Sequence, residues 1–107
     1  VEMVTLLCGV ATADVNLQNR GGATALMLAV MKNSHVIVST LIERSAMLNI
    51  QKDVGYTALM LAARRGYLPI VETLVNAHCD MELQDNKNET ALRKAHKERR
   101  KEVIEFL

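Results

Sequence analysis

Apolar residues along the chain come in short bursts with helical spacing, and polar stretches separate the bursts. Leu59, Ala62 and Ala63 stand at i, i+3 and i+4, which lines one stripe of a short helix. Thr57 stands where an N-cap belongs, because its hydroxyl can accept from a free amide of the first turn. Gly66 follows as a left-handed C-terminal stop. Leu68, Ile70, Val71, Leu74 and Val75 define a second helix, with Pro69 in its first turn where a missing N–H costs nothing. Asp80 to Glu89 is polar and rich in turn formers. The pattern predicts two short paired helices followed by a projecting turn.

That pattern recurs every 33 residues. Thr24-Ala25-Leu26-Met27-Leu28-Ala29 matches Thr57-Ala58-Leu59-Met60-Leu61-Ala62, and Thr90-Ala91-Leu92 with Ala95 makes a weaker third copy. Thirteen residues after each Thr comes an apolar pair: Ile37-Val38, Ile70-Val71 and Val103-Ile104. Leu41, Leu74 and Leu107 keep the register, as do Gly22, Gly55 and Asn88 in front of each Thr. Asn16 aligns with Asn49, and Gln18 with Gln51 and Gln84. So many coincidences at one spacing mark a repeat array.

The run Asp53-Val54-Gly55-Tyr56-Thr57-Ala58-Leu59-Met60-Leu61-Ala62-Ala63, then Gly66, Ile70-Val71 and Leu74-Val75, resembles the ankyrin-repeat consensus, and Asp14-Val15-Asn16 resembles its end. The resemblance covers essentially the whole chain. It implies an all-α solenoid of stacked helix–turn–helix units joined by β-turn fingers. The array spans 1–107, with a partial repeat over 1–18, repeats over 19–52 and 53–84, and a C-terminal capping repeat over 85–107 that stops inside its second helix. Val1–Leu7 reads as a second helix without its first, so further repeats upstream are expected. One extra residue between Met3 and Asp14 predicts a bulge over Cys8–Ala13.

Several positions depart from the family pattern. Ala25, Ala58 and Ala91 stand where the consensus has Pro, and Met27, Met60 and Arg93 where it has His. Asn33 and Arg99 replace the inter-helix glycine. Asn tolerates the left-handed conformation, whereas Arg99 is expected to cost about 1 kcal/mol or to reshape its turn. Lys94 sits where Leu28 and Leu61 are apolar, in a last unit dense with charge. A polar terminal unit is what a solenoid end needs where it meets water.

Composition narrows the picture. Half the chain is apolar while aromatics are 3%, so the core must be aliphatic, with six Met contributing. That disfavours a β-sandwich or small barrel. No apolar run reaches the ~20 residues of a membrane span, and no basic-then-apolar leader is visible. Net charge is +1, with six basic against eight acidic residues up to position 85 and seven against four after it. Cys8 and Cys79 are far apart, which suggests buried free thiols in a reducing compartment, cytoplasmic or nuclear.

Catalytic signatures are absent: there is no G-x-S-x-G, P-loop, G-x-G-x-x-G or H-E-x-x-H. His35, His78 and His96 fall at different phases of the repeat, so they build no shared site. In His78-Cys79-Asp80 adjacent side chains of a turn point apart, which disfavours metal. No enzyme activity, cofactor or metal is expected. Methionine at the repeat period reads as core, with Met31 and Met60 also weighed as adaptable groove residues.

The resemblance implies protein binding through finger tips and the exposed side of the inner helices, in a scaffold, adaptor or inhibitor. Carried over by position, the binding residues are Arg20, Asp53, Val54, Tyr56, Asn86, Lys87 and Glu89 on the fingers, beside Ala23. On the inner helices they are Met31, Lys32, Arg64, Arg65 and Lys97. Tyr56, an aromatic without an evident core role, is the expected anchor. Arg64 and Arg65 beside it suit an acidic partner segment. Two alternatives stand beside this reading. One is a regulatory or targeting module of a larger enzyme, channel or ubiquitin-ligase receptor. The other is a basic contact of Arg93–Lys101 with nucleic acid or anionic lipid, or its use as a nuclear localisation signal. Interleaved Glu98, Glu102 and Glu105 and the lack of stacking aromatics disfavour nucleic acid, and the bland reading is a solvated cap face in which Lys94 and Lys101 oppose those glutamates. The resemblance further implies that Asn16 and Asn49 are finger asparagines open to hydroxylation, although Met47-Leu48 departs from the usual acidic context.

Overall fold

A computed structural model describes residues 18–107. The partial first repeat up to position 17, with the Cys8–Ala13 bulge, Cys8 and Asn16, lies outside the described residues. Among the described residues six helices follow one another: α1 (Ala25–Met31), α2 (His35–Glu43), α3 (Ala58–Arg65), α4 (Leu68–Asn76), α5 (Ala91–Lys97) and α6 (Lys101–Phe106). They form three pairs, and α1 packs on α3, α3 on α5, α2 on α4 and α4 on α6. The fold is the all-helical stack that the period predicts.

Each inner helix starts the same way. The hydroxyls of Thr24, Thr57 and Thr90 accept from the amides of Met27, Met60 and Arg93 at 3.2–3.3 Å. Each pair also turns the same way. Asn33, Gly66 and Arg99 all adopt left-handed φ, at 54°, 75° and 56°. Arg99 therefore does not reshape its turn; it takes the left-handed conformation that disfavours a side chain.

The fingers repeat as well. In each, the amides of Asn19, Lys52 and Asp85 donate to the carbonyls of Ala23, Tyr56 and Glu89 at 2.9–3.0 Å. Gly22, Gly55 and Asn88 supply positive φ at the turn. Neighbouring fingers are laced at one-repeat spacing. The Asp53 amide donates to the Gly21 carbonyl at 3.2 Å, and the Asn86 amide to Val54 at 3.0 Å. Gln51 Nε2 reaches the Gln84 carbonyl at 2.9 Å. The Asp80 amide donates to Asn49 Oδ1 at 2.7 Å, which ties that asparagine to the next unit.

The core is aliphatic. Leu26, Met27, Leu41, Leu59, Met60, Ile70 and Leu74 are all but fully buried. Met60, weighed above as a groove residue, is 1% exposed and belongs to this core. Small side chains Ala58, Ala62, Ala63, Ala91 and Ala95 let successive inner helices approach closely.

Candidate protein-binding surface

The finger turns and the exposed ends of the inner helices meet between the second and third units. There they enclose a cleft of about 180 Å³ lined by Tyr56, Arg64, Lys87, Glu89, Lys94, Lys97 and Glu98. Five of these were expected from the sequence: Tyr56, Arg64, Lys87, Glu89 and Lys97. Arg20, Met31, Lys32, Asp53, Val54, Arg65 and Asn86 are exposed but stand outside the cleft.

The floor of the cleft is a charge network built on buried Lys94, Asp85 and Glu89. Lys94, 3% exposed, places Nζ 2.6 Å from Asp85 Oδ2 and 3.3 Å from Glu89 Oε1. Lys97 Nζ lies 2.7 Å from Glu89 Oε2, and Arg93 Nε 3.8 Å from the same oxygen. Asp85 spends its other oxygen on the finger, accepting from the amides of Lys87 and Glu89 at 2.9 Å each. Asn19 Oδ1 does the same in the first finger, for Gly21 and Ala23. The third unit thus keeps the finger acceptor, adds a negative charge, and sets a lysine against it.

The titration shifts follow from this geometry. Burial alone would push the Asp85 carboxyl up; Lys94 and the finger amides outweigh it and hold the group below its ordinary value. Glu89 is held below its ordinary value by Lys97, against burial and with help from Lys94. Burial works to lower the Lys94 value, but Asp85, Tyr56 and Glu89 together raise it above that of a free lysine. Lys94 is therefore a fixed ammonium at neutral pH.

Three sequence expectations change here. Tyr56 is not a free finger-tip aromatic: it is half-buried, packs against the core and carries the Lys94 ammonium 4.0 Å from its ring centroid. Lys52 stands farther off, at 6.0 Å. Glu89 is 9% exposed and committed to lysines of its own unit, so it is no open contact residue. Lys94 is no solvated cap residue. Read alone it is a flaw in an apolar stripe. The available signal was a joint exchange at two repeat positions: Asn19 with Leu28 and Lys52 with Leu61, but Asp85 with Lys94.

Arg64 and Lys87 differ from the lysines of the floor. Both line the cleft and are exposed, and among the described residues neither forms an ion pair. They are the cations with charge to offer an incoming group. His78-Cys79-Asp80 gathers no site: His78 is exposed in a left-handed turn, while Cys79 is buried. Burial, helped by the Asp80 charge, pushes the thiol up to about 11, so it is a neutral thiol at neutral pH. Among the described residues no helix is long and apolar enough to cross a membrane.

A family model described as ankyrin repeats (3 copies) matches residues 1–85 and 49–107. A search of curated proteins finds no match to the chain.

Proposed function

The chain belongs to the ankyrin-repeat family, whose members are generally protein–protein interaction modules and typically non-catalytic, and from that premise we propose that it is a non-catalytic scaffold, adaptor or inhibitor domain that grips an acidic segment of a partner protein, in the cytoplasm or nucleus. The observation that supports this reading is the cleft between the second and third fingers. In its floor Asp85 and Glu89 are already paired with Lys94 and Lys97, so these groups need little rearrangement on binding. Its walls include Arg64 and Lys87, which form no ion pair among the described residues, and the half-buried Tyr56 ring lines the same cleft. A carboxylate placed there gains charge-assisted hydrogen bonds from a guanidinium fork and an ammonium. Exposed Asp53, Val54 and Asn86 on the finger tips, and Met31, Lys32 and Arg65 on the helix ends, extend the contact area. Arg20 lies at the far end of the same finger row.

Affinity capture from cell lysate tests this with the wild type, an Arg64→Glu/Lys87→Glu variant and an Arg20→Glu control. Both substituted positions are exposed, so helicity and Tm stay at wild-type values. The reading requires partners that are retained by the control and lost by the double reversal. Undiminished capture by the double reversal places binding elsewhere and overturns it.

A further inference from the structure

The charge of the cleft belongs to one end of the inner-helix face. The third unit gives the cleft Lys87, Glu89, Lys94, Lys97 and Glu98. Two repeats back the same positions hold Gly21, Ala23, Leu28, Met31 and Lys32. Charge thus gives way to uncharged side chains, and only Lys32 keeps it at the edge. Because α1 packs on α3 and α3 on α5, equal positions of successive units lie side by side. The row that supplies Arg64 and Lys97 to the cleft therefore begins at Met31.

Leu28 is the informative residue. Its counterparts Leu61 and Lys94 are 5% and 3% exposed, whereas Leu28 is 42% exposed. In the third unit the finger residue Glu89 reaches Lys94 at 3.3 Å and covers it. The first unit has Ala23 at that finger position, too short to cover Leu28. Met31, one helical turn further along α1, is exposed as well. The two make an apolar face in the same rows as the cleft residues.

We propose that this face takes a large aliphatic side chain from the same extended partner segment whose carboxylate enters the cleft, so that the partner is recognised by an apolar and an acidic residue four positions apart. This inference rests on the reading of the cleft as a site for an acidic segment. Packed helices stand about 8–10 Å apart, and the cleft between the second and third units lies one and a half units on from α1, which sets the two sites roughly 12–15 Å apart. An extended chain rises about 3.3 Å per residue and alternates its side chains, so residues four apart stand about 13 Å apart on one face, while residues three apart point to opposite faces. Charge selects an acidic segment. Arg64 and Lys87 form no ion pair among the described residues, and exposed Arg20 and Lys32 flank the apolar end. Met31 is unbranched and adapts its shape to the aliphatic side chain it meets.

The test is an NMR titration of the whole labelled chain with a blocked heptapeptide of glycine and serine that carries leucine second and glutamate sixth, and with the same sequence reversed. Counterparts with serine for leucine, glutamine for glutamate, or glutamate moved to the fifth place are titrated in parallel. The proposal requires amide shifts at residues 28–31 together with residues 87–97. It also requires the better of the two orders to bind roughly tenfold more tightly than the leucine-free and the fifth-place peptides. Leu28→Gln and Met31→Gln are each to remove that advantage while leaving the affinity of the leucine-free peptide as it was. Arg64→Glu/Lys87→Glu is to abolish binding of both. The inference alone is overturned, with the cleft reading left standing, when glutamate peptides shift residues 87–97 but leucine adds no affinity, spacing makes no difference, or the glutamine variants bind as before. Both are overturned when no glutamate peptide shifts residues 87–97. Shifts at residues 28–31 that follow protein concentration without any peptide would assign the face to a second copy of the chain and overturn the inference.

Discussion

Lys94 occupies the inner-helix position that is leucine in both preceding units, yet it is as buried as a core residue. Burying an ammonium is tolerable only because Asp85 and Glu89 meet it inside the same unit and Tyr56 faces it from the previous one. Removing one partner leaves the other charge stranded. Lys94→Leu is therefore expected to destabilise by about 3 kcal/mol in urea unfolding. Adding Asp85→Asn recreates the Asn19/Leu28 combination of the first unit and should recover most of that loss. A double variant no more stable than Lys94→Leu would contradict the pairing. The same groups set the pH response. Asp85 and Glu89 have depressed values in the folded state, so their stabilisation is full above about 4 and drains as pH falls through those depressed values. Lys94 and Cys79 have raised values, so their share is full at neutral pH. The Cys79 share drains as pH climbs towards about 11, and the Lys94 share only above about 10.4. Thermal melts across pH should show a plateau through neutrality with losses on both flanks. None of this was legible position by position. Sequence periodicity reports which face a residue lies on, and a lysine on the inner face has no visible partner until two separated repeat positions are compared as a pair.

At the scale of the element, the helices and turns were almost wholly legible. Thr57 as N-cap, Gly66 as left-handed stop and Pro69 in a first turn are local chemistry, set within a few residues, and the structure realises each one. Less legible was Gly66's second role. Beyond its φ of 75°, it leaves room for Arg100 from the next unit, a contact 34 positions away that no local rule reports. Gly66→Ala should accordingly cost more than the about 1 kcal/mol of the left-handed conformation alone. Urea unfolding of Gly66→Ala in wild-type and Arg100→Ala backgrounds separates the two contributions, with the smaller loss expected in the second. Equal losses would mean that the approach of Arg100 is of no consequence.

At the scale of the molecule, a residue's worth depends on its neighbouring unit. Leu26 and Leu59 are each 2% exposed, while Leu92, at the same repeat position, is 38% exposed. The difference is the next helix pair, which covers the first two and is absent beyond the third among the described residues. Leu59→Ala should cost about 2–4 kcal/mol and Leu92→Ala less than about 1 kcal/mol, measured in the same urea series. Similar losses would deny the nearest-neighbour character of the stack. The expectation of a charge-dense end unit left two features unread: Asp85, Glu89 and Lys94 turn inward, and Leu92 stays exposed. The finger-side cleft has the same origin, since Tyr56 comes from one unit and Lys94 and Glu89 from the next. The most direct test is amide hydrogen exchange of the whole chain, free and bound to a captured partner. The account predicts slowed exchange at finger residues 53–56 and 86–89. Unchanged exchange there, with protection confined to the outer helices α4 and α6, would contradict it.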